Sequence, residues 1–394
     1  MNQRQFSLIA AFLLGISLSF VGCGVSSPIA QVGDKDFVLE QDERSLWKES
    51  KEEEDKLDKS GFIYRDSIAT TYVNTVLNNL IPPNVKASGV PFHAVILKNP
   101  LLNAFAYPNG SLYIHTGILT HIENEAQLAT IIGHEINHVI CRHTVKEIRS
   151  AKNTTDALAF FQVATIPFGF FGVFANILGT VGTMAAISGY SRDAEREADT
   201  KGFALVLAAG YDIQESPKVF QRLKEDLEEQ HADEPFFFGS HPKLNERISN
   251  FNELVAHAPI QKSPLIRAHE YDSVMTPVVL MNTEMDLQMG RYESAQKSAE
   301  RVLLLDSCCS QAHYLIGETY RQRGDTTEQQ LAFQAYQKAV ICDSANANAF
   351  KGIGLLAQKR KDIPTAQTAF RQYLKLQPHA ADRSYIEKYL KKME

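Results

Sequence analysis

The sequence has no excess of positive charge and contains few cysteines. The first property argues against nucleic-acid binding, and the second limits the number of possible disulfides. The formal net charge is −6, which gives no reason to expect nucleic-acid binding. Five cysteines in 394 residues is a low count. Cys342 can pair with Cys308 or Cys309 in an oxidising compartment, but the spacing does not decide between such a disulfide and buried thiols. Cys141 lies in an apolar segment, where we expect it only to pack.

The apolar run at residues 6–21 is too short for a stable membrane span. A positive charge precedes it and Cys23 follows a small residue, which resembles the lipobox of a bacterial export signal. Cys23 would then be the lipidated first residue of the mature protein. Phe20 stands where such signals usually have Leu, so ordinary signal cleavage and an uncleaved anchor stay open. Gly24, which is not Asp, resembles the signal for an outer-membrane lipoprotein.

His134, Glu135 and His138 form an HExxH motif. Residues i and i+4 of a helix share one face, so both imidazoles can bind one metal ion. Glu135 lies about 100° further round the helix, where its carboxylate can reach a water beside the ion. Burying these three side chains without partners would be costly, and zinc removes that cost. The alternative is a helix with solvent-facing histidines, which its apolar neighbours argue against. Those neighbours are Leu128, Ile131, Ile132, Ile136, Val139 and Ile140.

A zinc site needs a third protein ligand, and Glu195 can supply it. Glu195 and Asp199 are four residues apart and share a helix face, with the small Ala198 beside them. Glu195 would bind the metal, while Asp199 would accept the free N–H of a ligating histidine. Taken alone, this stretch is typical of a charged surface helix, and only the HExxH motif favours a site. Glu197 is expected to face solvent.

Together, the two motifs resemble those of the HtpX-like zinc metalloendopeptidases. Within that family the chain is similar to the periplasmic BepA-like proteases, which carry C-terminal tetratricopeptide repeats. The resemblance covers residues 45–255. It implies one Zn²⁺ per chain bound by His134, His138 and Glu195. It also implies Glu135 as the catalytic base, with Asp199 supporting the ligands.

The resemblance extends to two further elements. His241 and Arg247 are similar to a His-Pro-x-x-x-x-Arg element of the family. This implies His241 as a fourth ligand that holds the enzyme latent, and Arg247 as the partner of a cleft carboxylate. The alternative for His241 is a helix-start residue before a proline. Asn103 and Ala104 resemble the start of a cleft strand to which an extended peptide can add. The alternative there is a plain structural hairpin.

Residues 157–190 contain no charged side chain. The stretch is long enough to suggest a transmembrane segment, but Pro167, five glycines, Gln162 and Asn176 interrupt it. Its two ends must also return to one metal site. We predict a helical hairpin that partly shields the site and touches lipid. The alternative is that the whole stretch is protein core.

The C-terminal third carries an internal repeat. Glycine, alanine and aromatic positions recur with starts near residues 276, 310 and 347. The first step matches the tetratricopeptide period, and the second is longer because of an insertion at 326–331. Small residues let paired helices approach, while Tyr or Phe fills the space between them. The alternative is an unrelated helical bundle.

The predicted fold is therefore α+β, in four parts. Residues 1–23 are the signal and 24–45 a tether. Residues 46–260 form a mainly helical zincin-type protease domain with a small β-sheet. Residues 270–394 form an α-helical array of tetratricopeptide repeats. Local patterns predict helices at 42–60 and 68–80, a strand at 92–97, and two short strands around a Pro-Asn-Gly turn at 108–110.

The expected function is a zinc metalloendopeptidase of the bacterial periplasm, anchored to the outer membrane. Its partners would be unfolded or misassembled envelope proteins recruited by the repeats, and its contacts with the membrane would be Cys23 and residues 157–190. No nucleic acid is expected as a partner. The alternative function is a chaperone or assembly factor for outer-membrane proteins with a latent protease site.

Overall fold

A computed structural model describes residues 29–153, 178, 181–182, 190–229, 244–324 and 326–392. The predicted signal with Cys23, most of the uncharged stretch at 157–190, and His241 lie outside the described residues.

The helices and strands of the first part surround the HExxH motif. They are α1 (Gln41–Lys59), α2 (Ser67–Leu80), α3 (Pro83–Ala87), β1 (His93–Leu97), β2 (Ala104–Ala106), β3 (Ser111–His115), α4 (Thr116–His121), α5 (Glu125–Ile140), α6 (His143–Asn153), α7 (Arg192–Ala208), α8 (Glu215–Glu229) and α9 (Leu244–His257).

The second part is a run of antiparallel helix pairs. Its helices are α10 (Ala268–Gln288), α11 (Tyr292–Leu305), α12 (Ser310–Arg323), α13 (Thr326–Cys342), α14 (Ala347–Lys359), α15 (Ile363–Leu376) and α16 (Arg383–Lys392). The predicted α+β class, with a small sheet in a helical protease part followed by helical repeats, is confirmed.

The small sheet has the strand order β1-β3-β2. β1 runs parallel to β3, and β2 pairs antiparallel with β3. The turn between β2 and β3 ends at Gly110, whose φ of 98° lies in the left-handed region that favours glycine. A Cβ at Gly110 would also lie 2.9 Å from the Val90 side chain. The predicted strand and hairpin are both confirmed.

The HExxH helix α5 is the centre of the protein. Every residue from Glu125 to Ile140 is buried. Asn124 caps its start by accepting the Gln127 N–H at 2.9 Å. Because the helix has no solvent-facing side, the alternative of two exposed histidines is wrong.

The chain before α1 packs against the end of α5. Val32 is 4% exposed, and its N–H donates to the Ile140 carbonyl at 2.9 Å. Arg142 donates to the Ala30 carbonyl at 2.8 Å. The described part of the predicted tether is therefore held in place, because it satisfies polar groups where α5 stops.

The first repeat shares its core with the protease part. Buried side chains of α10 and α11 belong to the same hydrophobic cluster as those of α2 and α5. Arg301 donates to the carbonyls of Thr120 and Ile122 at 3.0 and 2.7 Å, and the Thr116 hydroxyl lies 2.9 Å from Asn282 Oδ1. Helix α10, which makes part of this contact, begins at Ala268.

The later repeats follow the predicted pattern of small residues facing aromatic rings. Gly317 and Gly352 lie on either side of the Tyr336 ring, and a Cβ at either position would come within 2.6 Å of it. The structure pairs Cys308 with Cys342 and leaves Cys309 as a free thiol. None of the helices in the described part of the chain combines the length and hydropathy needed to cross a bilayer.

Candidate metal centre

The site forms where α5 crosses α7. A Cβ at Gly202 would lie 2.8 Å from the Gly133 carbonyl carbon and 2.9 Å from the His134 amide nitrogen. These two glycines therefore allow the helix backbones to touch. Along α7 the buried residues form one stripe, which includes Glu195, Ala198 and Asp199. The close crossing brings the acidic part of this stripe to the HExxH motif.

Three side chains converge at the crossing. The Nε2 atoms of His134 and His138 are 3.0 Å apart. Glu195 Oε2 lies 3.5 Å from His134 Nε2, and Glu195 Oε1 lies 3.5 Å from His138 Nε2. A tetrahedral zinc ion with Zn–N near 2.1 Å places its ligand atoms about 3.4 Å apart. All three side chains are at most 3% exposed. The donor set and its spacing therefore fit one divalent ion.

His134 is supported from the partner helix. Its Nδ1 lies 2.8 Å from Asp199 Oδ1, and a carboxylate only accepts hydrogen bonds, so Nδ1–H donates and Nε2 faces the site. Arg247 holds Asp199 with bonds of 2.5 and 3.2 Å and lies 4.1 Å above the Phe220 ring. Burial raises the pKa of Asp199, but Arg247 and His134 outweigh it and lower that pKa to about 2.

His138 has a different support. Its Nδ1 lies 2.9 Å from His143 Nδ1, and His143 Nε2 lies 3.1 Å from Glu197. The Tyr190 ring stacks on His138 at a centroid distance of 3.9 Å, and the Tyr190 hydroxyl is 2.9 Å from that of Thr144. Burial lowers the pKa of His143, although the Glu197 carboxylate opposes this shift. The lowered pKa favours a neutral imidazole at His143.

Glu135 stands beside the three converging side chains and is 2% exposed. Among the described residues, its Oε1 has no hydrogen-bond partner. Burial and the charges of Glu195 and Asp199 raise the pKa of Glu135 well above its usual range, and Arg247 opposes them. A buried carboxylate oxygen without a protein partner is suited to a ligand or water that enters the site.

Most of the residues singled out in the sequence meet here. His134, His138 and Glu195 converge, with Asp199 and Arg247 behind them. Asn103 and Ala104 are buried at the start of β2, and β2 packs against α5.

The prediction that Glu197 faces solvent is wrong, because His143 and Lys201 bind it and its side chain is only 33% exposed. Sequence reasoning also missed Gly133, Gly202, His143 and Tyr190. A glycine directly before the HExxH motif and another in the second helix were the available signals of a close crossing.

Two comparisons with known families bear on the chain. Residues 67–255 match the model of Peptidase family M48, and residues 286–347 match a Tetratricopeptide repeat model. These matches confirm the resemblance to a metalloendopeptidase family with C-terminal repeats.

Named relatives are similar at low identity. The Beta-barrel assembly-enhancing protease of Yersinia pestis is 28% identical over 189 residues, which is 47% of this chain and 38% of that protein. The Mitochondrial metalloendopeptidase OMA1 of Arabidopsis thaliana is 28% identical over 190 residues, 48% of this chain and 36% of that protein. The Beta-barrel assembly-enhancing protease of Escherichia coli K12 is 24% identical over 251 residues, 61% of this chain and 48% of that protein. The chain thus spans less than half the length of these relatives.

Proposed function

We propose that this protein is a zinc-dependent metalloendopeptidase of the bacterial envelope, because residues 67–255 match the model of Peptidase family M48 and residues 286–347 match a tetratricopeptide repeat model. Its substrates are misfolded or stalled envelope proteins. The observation that carries the proposal is the meeting of His134, His138 and Glu195 in a buried site next to Glu135, whose Oε1 has no hydrogen-bond partner in the described part of the chain.

In this proposal His134 and His138, through Nε2, and the Glu195 carboxylate hold one zinc ion. When bound, the ion supplies Lewis-acid polarisation of a peptide carbonyl and makes water easier to deprotonate. Asp199 keeps His134 in the tautomer whose Nε2 is free to bind. The burial of all three ligands excludes bulk water, which strengthens every electrostatic interaction in the site.

Glu135 moves the proton. Its carboxylate takes a proton from the attacking water as the new C–O bond forms, and then delivers it to the nitrogen as the C–N bond breaks. Because its Oε1 has no partner among the described residues, no protein hydrogen bond has to break first. An extended substrate would add to the edge of the sheet at β2, beside Asn103 and Ala104, where the sheet packs on α5.

The direct test is zinc analysis combined with digestion of an unfolded protein. The wild-type chain should contain one zinc and cleave, whereas Glu135→Gln should keep the zinc and cleave about 10²- to 10⁴-fold more slowly. Glu225→Gln, an exposed change of the same chemistry on α8, is the matched control and should cleave normally. Equal cleavage by wild type and Glu135→Gln, or a wild type without zinc, would refute the proposal.

The repeats are proposed to recruit the substrate. Their first helices share a core with the protease part, so a bound chain is held at a fixed position relative to the site. Photo-crosslinking groups at Leu304 and Ile341, which are 88% and 80% exposed, should capture unfolded envelope proteins. A group at Ile68 on α2, 68% exposed, should not. Equal capture at all three positions would argue against recruitment by the repeats.

The same shared core favours a second function, a chaperone or assembly factor for outer-membrane proteins whose protease site stays latent. A rigid array can present a client without cutting it. Glu135→Gln distinguishes the two functions in a deletion strain. Full restoration of envelope integrity by this variant would identify assembly as the main function, and failure to restore it would identify proteolysis.

We place the protein in the periplasm, anchored to the outer membrane through a lipid on Cys23 and in contact with lipid at residues 157–190. The small residue before Cys23 and the apolar run at 6–21 support this location. Labelled palmitate should enter the wild-type chain and not Cys23→Ser, and the variant should leave the membrane fraction. Equal labelling of both would contradict the lipid anchor.

A further inference from the structure

We propose that His143, backed by Glu197, is the positioning residue that holds the ligand His138 in its metal-binding orientation. The inference rests on the proposed metal site and adds a support that neither sequence motif identifies. It concerns the side of the site opposite Asp199. Three observations carry it, namely the order of the hydrogen bonds, the backbone turn after α5, and the role of Lys201.

The hydrogen bonds have only one consistent order. His138 Nε2 faces His134 and Glu195, so it must be unprotonated to bind a metal, and Nδ1 then carries the proton. That proton points to His143 Nδ1 at 2.9 Å, which has to accept it. His143 must therefore carry its own proton on Nε2, which lies 3.1 Å from the Glu197 carboxylate. Glu197 fixes the tautomer of His143, and His143 fixes that of His138.

The backbone is bent to make this contact. His143 is five positions after His138, and in a continuous helix the two side chains would lie about 140° apart on its surface. Arg142, between α5 and α6, has φ 58° in the left-handed region that an arginine rarely adopts. Glu43 binds the Arg142 guanidinium, and both side chains are 2% exposed. A rare conformation held by a buried ion pair points to a functional constraint, and the contact of His143 with His138 supplies one.

The position of Lys201 explains why Cys141, His143 and Glu197 do not form a second metal site and why Glu197 supports His143 instead. Cys141, His143 and Glu197 are close enough to bind an ion. The Lys201 ammonium, however, lies 2.6 Å from Glu197 and 3.5 Å from the Cys141 sulfur. It supplies the positive charge that a metal would bring, and it leaves the second Glu197 oxygen facing His143.

The test measures zinc affinity by competition with a chromophoric chelator, together with the visible spectrum of the cobalt-substituted protein. His143→Ala should lower zinc affinity about 10- to 100-fold and change the cobalt spectrum. His143→Asn places a carboxamide oxygen near the lost Nδ1 acceptor and should recover most of the affinity. His143→Phe keeps a ring without the acceptor and should not. Glu197→Gln should cause a smaller loss, because an amide oxygen can still accept.

Cys141→Ala is the matched control, since it alters the same cluster without touching these hydrogen bonds, and it should leave affinity and a stoichiometry of one zinc unchanged. Thermal unfolding of the metal-free variants separates a folding defect from a lost contact. Unchanged affinity in His143→Ala would overturn the proposal. So would a second zinc that Cys141→Ala removes, or failure of His143→Asn to bind better than His143→Phe. A wild type that takes up no zinc would overturn the proposed function as well.

Discussion

The two histidines of the metal centre are supported in opposite ways. His134 contacts Asp199, which lies 65 residues away on a different helix and is itself gripped by Arg247. His138 contacts His143, which lies five residues further along the chain and is backed by Glu197. The first support therefore depends on two helices meeting, and the second depends on a local turn at Arg142.

The two partners, Asp199 and His143, differ in how they select the tautomer of the histidine that they contact. A carboxylate only accepts hydrogen bonds, so Asp199 favours the tautomer of His134 that carries its proton on Nδ1. An imidazole can donate or accept, so His143 determines the state of His138 only while Glu197 determines its own. Asp199 is also fully enclosed, at 2% exposure, whereas the Glu197 side chain is 33% exposed. The Asp199 side is therefore the one whose loss should cost more.

The largest expected effect is that of breaking the Asp199 side with Asp199→Asn. The change leaves the Arg247 guanidinium buried without a counter-charge, which should lower the free energy of unfolding of the metal-free protein by about 3–5 kcal/mol. It should also lower zinc affinity about 10- to 100-fold. Denaturant titration and chelator competition measure the two effects. Adding Arg247→Met should restore stability but not affinity. An affinity equal to wild type would show that Asp199 does not orient His134.

The second largest expected effect is the loss of stability on removing the disulfide of the repeats, which lies outside both histidine supports. Cys308 and Cys342 close a loop across one repeat, with a sequence separation of 34. Cys342→Ser should lower the stability of the repeats by about 2–4 kcal/mol, measured by far-UV circular dichroism, and should leave zinc affinity unchanged. Cys309→Ser, at the free thiol, is its control. A fall in zinc affinity with Cys342→Ser would mean that general destabilisation, not lost support, explains the site variants.

The third change, Gly202→Ala, should disturb both supports together. The added methyl would lie 2.8 Å from the Gly133 backbone, so α5 and α7 must move apart, at a cost of about 1–3 kcal/mol. Glu195 and Asp199 move with α7, so zinc affinity should fall as well. Thr200→Ala, on the exposed side of the same helix, is the control. If Gly202→Ala binds zinc like wild type, the close crossing is not what places the third ligand.

The smallest expected effect is a pH dependence of stability that arises from Glu215, which binds the start of α5, the helix that carries both histidines. Burial raises the pKa of Glu215, but hydrogen bonds from Lys218, Asn124 and Gln127 outweigh it and hold that pKa below its usual value. The stabilisation is therefore fully present above the unfolded pKa, near 4.3, and is lost as the pH falls through the lower folded pKa. Glu215→Gln should lower stability at neutral pH by about 1 kcal/mol.

Acid denaturation of Glu215→Gln should also depend less on pH than that of wild type, because the titrating group is gone. Denaturant titrations between pH 3 and pH 7 would measure both effects. Zinc affinity at neutral pH should not change, since neither Asp199 nor His143 is touched. An unaltered pH profile would show that Glu215 does not contribute this stabilisation.

Local patterns predicted much of the chain, and the failures have physical causes. Helices, strands and the repeat register follow from hydrophobic periodicity and from glycine at turns, which are properties of neighbouring residues. Glu197 was misplaced because its partner His143 begins a different helix, α6, and the two side chains meet only in the folded protein. The tie between the first repeat and the protease part was not predicted, because Thr116 and Asn282 meet only in the folded core.

The sequence by itself determined which residues can bind a metal. HExxH places two imidazoles on one face of a helix, and Glu195 and Asp199 share a face of another, because helix geometry is set by local backbone bonding. Only the tertiary structure decided that these faces meet, through the contact of Gly133 with Gly202. It alone also decided that His143 turns back to His138, because that turn depends on Glu43 binding Arg142 from a distant part of the chain.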